Sequence, residues 1–301
     1  MSNFSLIVVA IGLGFLLKKL RKPLQLPENV AQGINVFVLY VSLPSMALYY
    51  IPKVEFSARS WLPLSLGLLV LVFALVFFGI FKYIFGYSKN TYGALVLACG
   101  FGNISFVGYP LVEAFYGKEA LKTAVLIDQG TFLVLAVLGI LLALYFSDKK
   151  LHYHVIVKKL LYFPAFEAFI VALLLNFLAL DFPEFAQSTF KRFAETLSPL
   201  ALFSVGWQLS FDTQAVNRKD WLLGLSYKLF LIPFVFFMLL GFPKSLADKV
   251  IILESAMAPM ITSSLIASEN GLNPKLANFL VAIGIPLSLL SVSFWYWLME
   301  V

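Results

Sequence analysis

A chain of 301 residues that is 61% hydrophobic and only 13% charged has too few polar groups to be a water-soluble globule of that size. Its formal charge of +6 is gathered between apolar runs, which excludes a nucleic-acid interface and marks loops on the cytoplasmic side of a membrane. One cysteine, Cys99, excludes an intramolecular disulfide.

Apolar runs of about 15–25 residues, each near the length that crosses roughly 30 Å of hydrocarbon, predict ten transmembrane helices. They lie at roughly 3–17, 29–51, 61–81, 91–116, 119–146, 162–180, 194–211, 220–241, 247–268 and 275–299. The first run lacks a basic leader and a small-residue cleavage site, and Lys18, Lys19, Arg21 and Lys22 follow it. It reads as a retained span, not a signal peptide. The connection from Ser147 to Leu161 carries Lys149, Lys150, Lys158 and Lys159 and predicts a short interfacial helix. His152 and His154 within it read as interfacial, since a lone His-x-His pair is a poor metal site.

The fourth span is interrupted. Gly100-Phe-Gly-Asn-Ile-Ser-Phe-Val-Gly-Tyr-Pro110 holds three glycines, a proline and an amide in eleven residues. Pro110 lacks an N–H and disfavours helical geometry at Tyr109, so the helix is expected to open just before it. Opened backbone at membrane depth survives only where protein or a wet cavity satisfies it, and such breaks mark transporter binding sites. The ninth span carries its own breaker, Pro259, in Glu254-Ser-Ala-Met-Ala-Pro-Met-Ile-Thr-Ser-Ser264.

Paired breaks suggest two five-span halves, 1–150 and 151–301, and an odd number of crossings inverts the second half. Leu43-Pro44 corresponds to Ser198-Pro199, Trp61 to Trp221, and Tyr116-Gly117 to Asn270-Gly271. The two breaking prolines fall out of register when those glycines are aligned. Loops after odd spans carry 13 Lys and Arg against 8 after even spans, which puts odd loops in the cytoplasm and both termini outside.

Asn103-Ile-Ser-Phe-Val-Gly-Tyr-Pro-Leu111, followed by Ala114-Phe-Tyr-Gly117, resembles the fourth-span signature of the auxin efflux carrier family, Asn-Thr-x-x-x-Gly-x-Pro-Leu. Asn103, Gly108, Pro110, Leu111 and Gly117 fit, and Ile104 replaces the usual Thr. The long central loop of the plant carriers is absent, so the chain resembles a short microbial member. The resemblance implies an all-α membrane fold of two inverted five-helix repeats, similar to the bile-acid symporters and sodium–proton antiporters. Helices 1, 2, 6 and 7 would form a scaffold. Helices 3–5 and 8–10 would form a transport core that moves as an elevator, with broken helices 4 and 9 crossing. It also implies a secondary carrier, not an enzyme, without a cofactor, in a bacterial inner membrane. Its cargo would be a small organic anion such as malonate or malate, and a homodimer is left open.

Candidate substrate-binding residues are Gly102, Asn103, Ile104, Gly108, Pro110, Ala258 and Pro259. Of the ionisable residues inside expected spans, Glu113 and Glu167 lie near span ends. Asp128 lies about ten residues into its span, roughly 15 Å deep, and Glu254 lies beside the second break. Charge at the bilayer centre costs about 2.5–3.5 kcal/mol, so both carboxyls are candidates for proton coupling. Lys228 either snorkels to the interface or turns inward as their counter-ion. Ser255, Thr262, Ser263 and Ser264 keep sodium coupling open. Trp61, Trp221, Trp295 and Trp297 are expected as interfacial anchors. A channel or receptor is a rival reading. An intramembrane enzyme would need a zinc, nucleophile-elbow or diphosphate motif, and none is present.

Overall fold

The computed structural model describes residues 2–57, 60–147, 164–208, 216–243 and 245–301. The segment expected to form an interfacial helix, with His152 and His154, lies outside them. Every regular element among the described residues is a helix. Helix α1 spans Ser2–Lys19. The next crossing is α2 (Val30–Phe37), a π-helical turn Val38–Ser42 and α3 (Leu43–Tyr50), and α4 follows at Trp61–Phe85. Helix α5 (Lys89–Cys99) starts where the Ser88 hydroxyl accepts from the Thr91 N–H at 3.1 Å, a side-chain cap on a free N-terminal donor. A π turn, Ile104–Gly108, leads into α6 (Tyr109–Tyr116). Next come α7 (Leu121–Val134), a π turn Leu135–Gly139 and α8 (Ile140–Ser147). The second half holds α9 (Pro164–Phe177), α10 (Glu184–Glu195), α11 (Leu197–Gln208) and α12 (Arg218–Ser226). A π turn Tyr227–Leu231 leads into α13 (Ile232–Leu239), and α14 (Leu246–Ser255), α15 (Ile261–Glu269) and α16 (Pro274–Glu300) end the chain.

Five continuous helical runs among the described residues are long and apolar enough to cross a bilayer: Val30–Lys53, Trp61–Phe85, Lys118–Ser147, Arg218–Leu239 and Pro274–Glu300. The segments expected as spans four and nine are instead each two short helices around an unwound stretch.

Proline placement corrects the sequence reading. The chain opens at Gly100–Asn103, and Tyr109 and Pro110 lie inside a helix whose entry residue, Gly108, is itself helical (φ −65°, ψ −54°). The reason recurs. Three of the four π turns among the described residues end two positions before a proline: Pro44, Pro110 and Pro233. In a tight α turn the proline ring collides with the carbonyl four residues back. The wider turn relieves this: the N–H of Leu43 reaches Val38 O and that of Ile232 reaches Tyr227 O, five residues back in each case. The carbonyl four residues before Pro233, Leu229 O, accepts from the Ser291 hydroxyl and from Trp295 Nε1 at 3.0 Å. Trp295 is therefore a buried donor and not the interfacial anchor expected of it. Trp61 and Trp297 are exposed.

The residues form two compact units, and each draws on both halves of the chain. The first comprises Met1–Ala58, Ser105–Leu126 and Leu161–Leu209. Here α1 lies against α11 at backbone contact. A Cβ on Gly14 would strike Phe203 O, and one on Gly206 would strike Ile11 O, so small residues set the approach as in other membrane helix pairs. The Asn176 amide donates to Ile51 O, Pro52 O and Val54 O at 3.1, 3.0 and 2.8 Å, which gathers the carbonyls freed at the end of the second crossing. The Ser198 hydroxyl donates to Glu113 at 3.2 Å, and Lys118 pairs with Glu195 at 2.6 Å. Glu167 is exposed.

The second unit comprises Arg59–Ile104, Ile127–Leu160 and Ser210–Val301. Helix α4 is held to the π turn Tyr227–Leu231 by Tyr227, whose buried hydroxyl donates to Val70 O at 2.6 Å. Rings of Phe77 and Phe78 pack on the same tyrosine. Both unwound stretches lie in this unit.

Candidate functional site

Helix α5 ends at Cys99 and α14 ends at Ser255. After them, Gly102 and Pro259 form an isolated antiparallel bridge. The Asn103 N–H donates to Ala258 O at 2.9 Å, and the Met260 N–H donates to Phe101 O at 3.1 Å. The two unwound stretches thus satisfy each other's backbone, which is what lets them persist in an apolar interior.

The end of α14 shows how completely this is done. A helix leaves its last four carbonyls without helical partners. Here Ile252 O accepts from the Ala256 N–H and the Ser255 hydroxyl. Leu253 O accepts from the Ala256 N–H at 3.1 Å, and Glu254 O accepts from the Met257 N–H at 3.3 Å. The fourth, Ser255 O, accepts from Lys228 Nζ at 3.1 Å. Lys228 is 1% exposed, so of its two expected placements the structure takes the inward one and rules out snorkelling. A Cβ on Gly102 would sit 3.2 Å from that Nζ and 3.3 Å from Glu254 O; the glycine leaves the ammonium its room.

Two carboxyls face the same interior. Glu254 is 1% exposed and interacts electrostatically with both Asp128 and Lys228. Neither of its carboxylate oxygens has a hydrogen-bond partner. Asp128 is 5% exposed. On the donor side, Asn103 is 3% exposed, and its Nδ2 has no acceptor although its backbone N–H is bonded. The amide nitrogen therefore does not cap the carbonyls of the broken helix end. The Ser264 hydroxyl, in the first turn of α15, is also buried without a partner.

Of the residues expected from sequence, the bridge brings together Gly102, Asn103, Ala258 and Pro259. Ile104 follows as the first residue of the π turn and is buried. Gly108 and Pro110 belong to the first unit and are not part of this group. Thr262 is exposed, whereas Ser255, Ser263 and Ser264 are buried. Sequence reasoning passed over Gln129 and Thr131, which are buried in the second unit with Gln129 Oε1 and Thr131 Oγ1 unpartnered. The run Asp128-Gln129-Gly130-Thr131 inside an apolar helix was the available signal. Among the described residues, no three His, Cys, Asp or Glu side chains gather as a metal site.

The arrangement is a buried meeting of two unwound stretches with one fixed cation, two carboxyls and an idle amide donor. Known proteins match nearly the whole chain. The sequence profile of the family described as membrane transport protein matches residues 3–296. An uncharacterized transporter of Methanothermobacter thermautotrophicus is 27% identical over 297 residues, 96% of this chain and 95% of the relative. Another uncharacterized transporter, from Methanocaldococcus jannaschii, is 25% identical over 286 residues, 91% of each chain.

Proposed function

The chain belongs to the membrane transport protein family, the auxin efflux carriers of the fourth-span signature, and from that premise we propose that it is a proton-coupled secondary carrier of a small organic anion. Malonate and malate are the cargoes to try first. The observation that carries the reading is the Asn103 Nδ2, a buried donor without an acceptor beside two broken helices. Leaving such a group unpaired costs about 1–3 kcal/mol, and a bound carboxylate would supply the acceptor. The Ser264 hydroxyl and the N-terminal end of α15 add a second donor and a positive dipole to the same unit.

Charge balance supports proton coupling. Glu254 interacts with both Asp128 and one ammonium, Lys228, so the three groups when ionised carry one excess negative charge before any anion arrives. A proton taken up by the pair removes that excess, and binding of the anion and of the proton then favour one another by linkage. Sodium coupling is the second reading, resting on the buried hydroxyls of Ser255, Ser263 and Ser264.

The same reading takes the fold as ten spans in two inverted repeats with an elevator core. Pairing of the two breaks supports it, and so does a glycine at positive φ after each broken span, Gly117 at 77° and Gly271 at 74°. The first unit holds helices of the expected scaffold spans 1, 2, 6 and 7, together with Ser105–Leu126, which the expectation gave to the core. Both termini would lie outside a bacterial inner membrane, with homodimerisation open. Maleimide labelling of His152→Cys in a Cys99→Ser background tests the orientation: an impermeant reagent reaching it in sealed cells overturns it.

The function is tested in proteoliposomes by uptake of labelled malonate and malate under an imposed pH gradient. Accumulation that follows the gradient, and counterflow that survives in Glu254→Gln or Asp128→Asn while gradient-driven uptake is lost, is the expected result. Both variants still following the gradient would overturn the coupling assignment, and flux without counterflow would indicate a channel.

A further inference from the structure

Lys228 occupies a place that the chemistry around it defines as a cation site. Ser255 O is the last carbonyl of α14, at the negative end of the helix dipole, and its partner is the ammonium at 3.1 Å. Glu254 is adjacent in sequence and interacts with that ammonium, yet both its carboxylate oxygens lack hydrogen-bond partners. Gly102, across the bridge, leaves room where a Cβ would come within 3.2 Å of Nζ. Cys99, at the end of α5, is the remaining ionisable neighbour of Lys228, and Asp128 faces Glu254 from α7. A carbonyl and an underused carboxylate are hard oxygen donors of the kind that holds a small alkali ion, and the glycine face leaves that ion room.

We propose that the Lys228 ammonium is a tethered cation filling the break, and that removing it leaves a site for a free monovalent cation, sodium in the first instance. In the carrier reading, on which this inference rests for its meaning in transport, the native chain carries its own cation through every cycle. It is then indifferent to sodium, and the proton on the carboxyl pair is what couples. A single substitution at position 228 converts the break into a sodium-responsive one.

The test is the thermal stability of the purified protein in detergent, in sodium chloride against N-methyl-D-glucamine chloride at equal ionic strength. The native protein is expected to melt at the same temperature in both. Lys228→Ala is expected to melt lower without sodium and to regain several degrees as sodium saturates the site. Glu254→Gln added to Lys228→Ala should abolish that gain. Sodium stabilisation of the native protein, or no difference between the salts for Lys228→Ala, overturns the proposal. Should Lys228→Ala not survive purification, Lys228→Met keeps the apolar stem, and the fraction of each variant recovered as a monodisperse species with and without sodium is compared. Sodium-dependent recovery supports the site, and equal recovery or equal loss overturns it. This readout involves no transport, so failure to move organic anions would sink the carrier reading alone.

Discussion

The two unwound stretches that meet at the bridge are built by opposite means. At Gly100–Asn103 the helix ends where side chains are missing: a Cβ on Gly100 would come within 3.0 Å of Leu71 Cδ1, and one on Gly102 would crowd the Lys228 ammonium. At Ala256–Met260 it ends where an N–H is missing, at Pro259, whose ring fills the space left by Gly284 on α16. The chemistry divides along the same line. The glycine break presents the idle amide of Asn103, and the proline break presents Glu254 and the carbonyl held by Lys228. A break made by removing side chains leaves space, which suits a ligand. A break made by removing a donor leaves acceptors, which suits a cation.

If that division is right, Asn103→Leu should lower organic-anion uptake roughly tenfold to hundredfold, the equivalent of one lost buried pairing, with membrane expression nearly unchanged. Wild-type uptake by this variant would move the ligand away from the glycine break.

The proline break should respond to packing. A Cβ at residue 284 would lie 2.5 Å from Pro259 Cδ, so Gly284→Ala is expected to destabilise the protein by about 1–3 kcal/mol, as overpacking does. Adding Pro259→Ala should restore most of the loss, measured by thermal unfolding in detergent. A double variant no better than the single one would show that the ring is not what Gly284 accommodates.

Much of this was legible in the sequence, and what was not has physical causes. Glycine, proline and asparagine inside an apolar run located the fourth-span break to within a few residues, because these residue types act on their own backbone. Its position was misjudged towards Pro110 because a π turn absorbs a proline without opening the helix, and nothing local announces that turn. The same holds for Lys228. Its position in the span permits a stem reaching either way, and only the waiting carbonyl of Ser255, on a distant segment of the chain, decides. Trp295 reads as interfacial because it lies near the end of an expected span, yet it is needed by the carbonyl that Pro233 frees. Long-range pairing of this sort has no period in the sequence.

Two smaller effects sharpen the contrast between prolines that break a helix and prolines that a π turn accommodates. Ser291→Ala removes one of two donors to Leu229 O and is expected to cost about 0.5–1.5 kcal/mol, because Trp295 still covers the carbonyl. A larger loss would mean that Trp295 alone does not hold the turn. Pro110→Ala should have the smallest effect of all, with uptake close to the wild-type rate, since the helix at 109–116 is already closed. A loss as deep as that of Asn103→Leu would restore Pro110 to the break.

The π turn Tyr227–Leu231 also has a consequence for chain length. A π turn houses one residue more than an α turn of the same rise. Deleting a single residue there, a change no hydropathy profile would register, would close the π turn to an α turn, keep α12 and α13 in phase, and return the Pro233 ring to the carbonyl four residues back. For this crossing, residue count constrains the interior as firmly as residue identity.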